Sequence, residues 1–459
     1  MKSYRRSFIL LAFLISSWNA FSQSDSVKNK YIIDIPLLDA PANFANNSLA
    51  FKQFSPSMQQ SLGFSKSIAE IQQYYTKYLF FKPNKKYKLH QKLIRGVAFL
   101  ATDIVIEVIL GFTPFGTGWL HEEWHRAVMN KNNVRSFNDM NTFPIGKETV
   151  AVSHITDEAL ANFKATNNSD FVRMGVAGIE AQYEYVKSVQ KDNFYNKLNL
   201  ASSVSYWLNN LNSIQYVRFS SSSQADSLTV KSEKEEGVNI KIRDFTGLDF
   251  TPWIYDLSRP NEAYSERGIH PSGVGIRRYR QTSDLTSEEL NYLKKMGKMQ
   301  WLNVISPTMF FINSIKVNND LRFNFAMFHY LTSFGYDAGS NFFVDYKDNK
   351  VFFALHNYRN LNNSFYGVEV QLVDKVLPLV KHKIFITPSL HLWTQPKNQQ
   401  FRTSESQFGG KVEVSVSTML GKIWQPYISA SAKTQGWVAG DVFLTDNVSC
   451  RFGFRALIR

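Results

Sequence analysis

The chain has one cysteine in 459 residues, Cys450. That excludes a disulfide-stapled scaffold and a thiolate-ligated zinc module, and it leaves the amino-terminal region without a cysteine to lipidate. Long basic runs are missing as well. Lysine and arginine number 52 against 38 acids, a formal charge of +14, but they are dispersed and no nucleic-acid recognition motif accompanies them. Nucleic acid is therefore not an expected partner. The apolar stretches also fall short as ordinary spanning helices: Phe8 to Ile15 is too brief, and Leu93 to Phe115 carries Asp103 and Glu107 at its middle. The length allows two or three domains and a core that needs no staple.

Residues 1–22 read as a secretory signal peptide, with Lys2, Arg5 and Arg6 before the apolar run and Ala20-Phe21-Ser22 as the cleavage site. The mature chain then starts near Gln23, in a lead-in segment (23–92) interrupted by Pro36, Pro41 and Pro56, with a helix expected from Ser67 to Lys77. An exported basic chain meets anionic head groups, so membrane lipid is the expected partner. Aromatic residues at 15% of the composition suit a membrane boundary.

The sharpest chemical signal is His121-Glu122-Glu123-Trp124-His125, a His-Glu-x-x-His pattern. On a helix, residues four apart share a face, so His121 and His125 can converge on one metal ion with Glu122 beside it. Leu120, Trp124, Ala127 and Val128 form the apolar stripe such a helix needs, with Thr117 and Gly118 at its start and Asn130 at its end. In these five residues the chain resembles the zincin metallopeptidases. The resemblance implies Zn2+ as cofactor, a peptide or protein substrate, and Glu122 as the general base toward a metal-activated water. Within that group the gluzincins take a third ligand from a glutamate on a later helix, which here implies Glu180.

Glu180 lies in a helix expected from Phe171 to Lys191, among the small residues Gly175, Ala177, Gly178 and Ala181 that permit close helix approach. Glu184 is an alternative as ligand or supporting carboxylate, and His154, Asp157 and Glu158 compete from a more polar segment. Asp103 and Glu107, one turn apart, are candidates to support a metal-bound imidazole or to pair with bases such as Arg95. Ser227 to Glu236 reads as an exposed loop. Asp244 to Arg280, rich in Gly, Pro and aromatics, reads as a long loop with two open readings: a packed inter-domain linker, or a binding segment from which the zincin resemblance implies that His270 or Tyr264 reaches the metal to stabilise an oxyanion. Thr286 and Glu289 form a capping box opening a helix that runs toward Trp301.

Beyond about Leu321 the period changes to two. Alternation recurs at 321–331, 341–347, 351–358, 366–372, 383–393, 411–417, 427–433 and 448–458, about eight strands. Several approach the roughly 9–11 residues of a tilted transmembrane strand. Alternation alone fits either a sandwich with its apolar face inward or a barrel with that face toward lipid. This part resembles the barrel segments of Gram-negative outer-membrane proteins, although Pro388 interrupts one strand and Arg459 stands where that class commonly has an aromatic. The resemblance implies an outer-membrane location, apolar residues toward lipid and charged residues inside.

The expected fold is α+β: a mostly helical metal-binding domain (93–300) followed by an antiparallel β-barrel of about eight or more strands (301–459). The expected function is an outer-membrane-associated zinc metallopeptidase. Two alternatives stay open. One is a barrel protein with a structural, transport or assembly role and a non-catalytic metal or plug domain; the other is an intramembrane protease with 93–115 and 171–191 in the bilayer.

Overall fold

Helical spacing in the sequence builds α1 (Met58–Phe80), α2 (Leu89–Gly111), α3 (Thr117–Lys131), α4 (Asp157–Thr166), α5 (Asn168–Tyr195), α6 (Leu200–Phe219), α7 (Ser223–Glu235), α8 (Phe250–Ser258) and α9 (Ser287–Met299). The structure is a computed structural model. It describes residues 31–42, 55–82, 85–145, 150–196, 200–347, 349–377 and 383–458, so the expected signal peptide lies outside the described residues.

One large antiparallel sheet follows from the two-residue period. Its strands are β1 (Tyr31–Ala42), β4 (Ile315–Lys316), β5 (Leu321–Thr332), β6 (Gly335–Tyr346), β7 (Asn349–Arg359), β8 (Ser364–Val373), β9 (Lys375–Leu377), β10 (Ile384–Pro396), β11 (Ser406–Thr418), β12 (Trp424–Lys433) and β13 (Asn447–Ile458); β2 (Phe137–Asn138) and β3 (Val152–Ser153) form a separate ribbon. The order in the sheet is β1-β13-β12-β11-β10-β8-β7-β6-β5-β4, with β9 paired to β10.

Every alternating segment expected beyond Leu321 forms a strand, and three further strands join them. The most distant is β1, expected as part of a lead-in, which pairs along β13 from Tyr31↔Ile458 to Ala42↔Val448. Among the described residues the sheet is not a closed barrel, because β1 and β4 stand at opposite edges. Residues of β1, β5 to β8 and β10 to β13 nevertheless line one cavity together with residues of α1 and α5, so the sheet curls around those helices.

Pro388 fits within β10 for a local reason. It lies between Ser389, paired to Gln371 of β8, and Ile386, paired to Lys375 of β9. Here the neighbouring strand breaks at Asp374, whose φ is +48°, and a residue without an N–H costs no ladder bond at a break.

The sheet alternates in an unusual sense. Its concave side carries Glu369, Gln371, Lys411, Glu413 and Arg451 into the cavity. Its convex side exposes Val368, Val370, Leu372, Leu390, Val412, Val414, Val416 and Ile428, each more than a third accessible.

Helix α5 is the centre of the molecule. One face, through Val172, Val176, Ile179 and Tyr183, packs on the aromatic residues Phe328, Tyr330, Phe352, Trp393 and Trp437 of the concave side. The opposite face, through Met174, Ala177, Ala181 and Tyr185, packs on Trp124 and Val128 of α3 and on Leu160 and Phe163 of α4. A helix apolar on both faces is a buried one, and each large side chain buried this way contributes roughly 1.5–3 kcal/mol. Among the described residues no helix is long and apolar enough to cross a membrane.

Two loops expected from composition are partly helical. Ser227 to Glu236 lies mostly within α7, whose N-cap Ser222 accepts from Ala225 N–H, and the long 244–280 segment contains α8. The Thr286/Glu289 capping box forms as read, opening α9.

Candidate metal centre

Helix α3 places His121 and His125 on one face, as the four-residue spacing requires. Their rings lie 4.8 Å apart between centroids. Both turn their Nε2 atoms toward α5 at Gly178. A Cβ built on Gly178 would sit 2.3 Å from His121 Nε2 and 2.4 Å from His125 Nε2. The absence of a side chain at this one position makes room for the two imidazoles.

The third member is Asp249, not Glu180. Asp249 Oδ2 lies 2.9 Å from His121 Nε2 and 3.6 Å from His125 Nε2, and all three residues are buried. The three side chains offer donor atoms within 4.8 Å of one another. His125 Nδ1–H donates to the Met174 carbonyl at 2.5 Å, which directs the Nε2 lone pair into the cluster. His125 Nε2 is buried without a hydrogen-bond partner among the described residues. An orphaned imidazole nitrogen facing a carboxylate fits a divalent cation, so these residues suit the metal that the motif implies, with an aspartate where a glutamate was expected.

Local structure explains how Asp249 gets there. Asp244 accepts from the backbone N–H groups of Phe245 and Gly247, both at 2.8 Å, and from Val152 at 3.0 Å. This bends the chain into a tight turn through Gly247, whose φ is +73°. The turn delivers Asp249 to the residue immediately before α8. Tyr216 of α6 packs against this corner: its hydroxyl accepts from Asp249 N–H at 3.4 Å, and its ring lies 5.8 Å from that of His121.

Glu122 is buried beside His125, and burial pushes its carboxyl well above the usual range, with Asp244 and Asp249 adding to the rise. Asp249 behaves oppositely. Burial pushes it up, but the His125 and His121 imidazoles outweigh that and hold it below the carboxylate range. The neighbouring Glu123 is committed elsewhere, to Arg126 at 2.6 Å and Asn138 at 2.9 Å, which ties α3 to the β2 ribbon.

Glu180 lies two residues beyond Gly178, about 200° around the helix, so it faces away from the histidines. It pairs with Arg173 at 2.7 Å and accepts from Gly440 N–H at 2.9 Å. Glu184 lines the cavity and accepts from Tyr330 at 2.8 Å. Asp103 accepts from Gln72 at 2.8 Å and Glu107 from Ser205 at 2.5 Å. Both acids therefore brace helices by neutral partners and support neither histidine. Asp157 pairs with Arg278 at 2.9 Å, while His154 and Glu158 are exposed. His270 contacts Ser272 at 3.0 Å and Glu236 at 3.5 Å, and Tyr264 packs on Phe171 and Arg267; the 244–280 segment thus supplies Asp249 in place of an oxyanion donor.

Two residues of the centre were missed from sequence, Asp249 and Tyr216. The first had a signal: an acid just before an apolar helix with Pro252 in its first turn is a helix start. The second had none. No protein-family model, curated protein or solved structure matches this chain.

Proposed function

We propose that the protein is a zinc-dependent metallopeptidase held at a membrane by its sheet, as expected for the outer membrane of a Gram-negative envelope. The observation that carries the reading is the convergence of His121 Nε2 and His125 Nε2, both against Gly178, on Asp249 Oδ2, with Glu122 buried next to His121 in the helix. Two neutral nitrogens and one carboxylate suit zinc, and a three-residue set leaves a position for water or substrate. When bound, the cation supplies Lewis acidity for hydrolysis.

Glu122 handles the proton. Its place in the motif, directly after His121, makes it the carboxylate that would accept a proton from water and return it to the leaving amine. Met174 holds His125 in the tautomer that presents Nε2. Tyr216 packs beside Asp249 and His121, where a hydroxyl is placed to donate to a developing oxyanion.

The convex surface supports the membrane part. From Phe408 to Val416 strand β11 rises roughly 27 Å at about 3.4 Å per residue, close to the roughly 25 Å apolar band of outer-membrane barrels. Exposed aromatics flank it, with Tyr366 and Phe408 at one rim and Tyr346 and Trp424 at the other. Scattered exposed apolar residues are ordinary, whereas a contiguous patch this large marks a lipid or protein contact.

A second reading has one observation in its favour. His121, Glu122, His125 and Asp249 are each no more than 6% exposed, and an enclosed site suits a structural metal. Glu122→Gln separates the two. The catalytic reading expects full zinc content and loss of peptide hydrolysis by roughly a hundredfold or more. Equal cleavage of a peptide library by the variant and the wild type eliminates it.

A further inference from the structure

The cavity between the concave face and helices α1 and α5, of about 350 Å³, holds a second cluster of ligand-type side chains. His356 of β7, Glu369 of β8 and His391 of β10 offer donor atoms within 4.8 Å of one another. The register explains the grouping. Glu369 pairs with His391 across β8 and β10, and Gly367, two residues before Glu369, pairs with His356. All three side chains therefore point to the same side of the sheet.

The hydrogen bonds resemble those of a prepared metal ligand. His356 Nδ1 lies 2.7 Å from Asp337 Oδ2, so the ring N–H is fixed on a carboxylate. His356 Nε2 then carries the lone pair, and it is buried without a partner among the described residues. The His356 side chain is 8% exposed. His391 stacks on it with ring centroids 4.7 Å apart and is held through Nε2 by Tyr358 at 2.8 Å. Glu369 Oε2 is 4.0 Å from His356 Nε2.

The donor set decides the kind of ligand. Lys187 lies 3.5 Å from both Glu184 and Glu369, Lys191 donates to Gln371, and Lys411, the cross-strand partner of His391, is 2.9 Å from Asp441 and 3.6 Å from Glu413. Two imidazoles and one carboxylate select a borderline transition cation over magnesium or calcium.

We propose that His356, Glu369 and His391 form a second divalent-metal site, selective for zinc-like cations, in the wall of the cavity. It is independent of the reading given to His121, His125 and Asp249. The test is zinc content of the full-length protein in detergent after equilibrium dialysis, measured by plasma mass spectrometry. Wild type is expected to hold two equivalents. His356→Ala with His391→Ala is expected to hold one, and Glu369→Gln, which preserves shape, is expected to weaken the second equivalent at least tenfold. If the double variant and Glu369→Gln both keep the wild-type count and affinity, the cavity site is overturned. The His121→Ala, His125→Ala protein reads the first centre separately. A loss confined to that variant overturns the cavity site, and a loss confined to the His356 and His391 variant supports it while removing the metallopeptidase reading.

Discussion

Replacing Gly178 by alanine drives a methyl group into the two imidazoles that would hold the metal. The new carbon would lie 2.3 and 2.4 Å from the two Nε2 atoms, more than 1 Å inside the roughly 3.5 Å at which such atoms attract. Overpacking of this kind costs about 1–3 kcal/mol, offset by about 1 kcal/mol because alanine is the better helix former. Without metal the variant should therefore lose about 0 to 2 kcal/mol. With zinc the difference grows. At a thousandfold excess over Kd, binding stabilises the wild type by about 4 kcal/mol, and the methyl group denies that gain to the variant. The assay is the denaturation midpoint of both proteins in detergent, each with zinc and with chelator. Metal bound elsewhere contributes equally to both and cancels. An equal zinc-induced shift in the two proteins would refute the assignment of the metal to the Gly178 surface.

Three other outcomes follow from the same contacts. Glu180→Ala leaves Arg173 buried without its carboxylate and should cost about 3–5 kcal/mol, yet leave the zinc equivalents unchanged; loss of zinc would restore Glu180 as a ligand. Glu107 is raised by burial to about 8 from 4.5, so the folded state holds its proton more tightly than the unfolded one. Its contribution to stability is present below about pH 4.5 and is lost as pH rises toward about 8, and Glu107→Gln should flatten that fall in urea titrations run across the range. Val414→Arg on the convex face should destabilise membrane insertion by about 2–4 kcal/mol if the residue sits near the bilayer midplane, read by liposome refolding; unimpaired insertion would mean that lipid does not cover this surface.

How much was visible beforehand depended on how local the signal was. The β5 to β13 meander was legible because alternation is written into each strand and consecutive strands pair, as in Tyr366, Val368 and Val370 against Gly367, Glu369 and Gln371. Strand β1 was not, since Pro36 and Pro41 mask its pattern and its partner lies at the far end of the chain. Two imidazoles one turn apart on α3 were legible for the same local reason. Asp249 was hidden because it meets His121 across 128 positions, and its arrival depends on the Asp244 turn, not on any spacing. Glu180 was misassigned because composition places it among small residues while helical angle turns it away. Ser227 to Glu236 is largely exposed as read, but its charge was taken for a loop, when Ser222 caps a helix there.

The most direct test is to count zinc in the purified wild type beside Asp249→Ala. The loss of one equivalent, with the fold intact by circular dichroism, is the predicted result. An unchanged count would contradict the three-residue centre and, with it, the hydrolytic role built on Glu122.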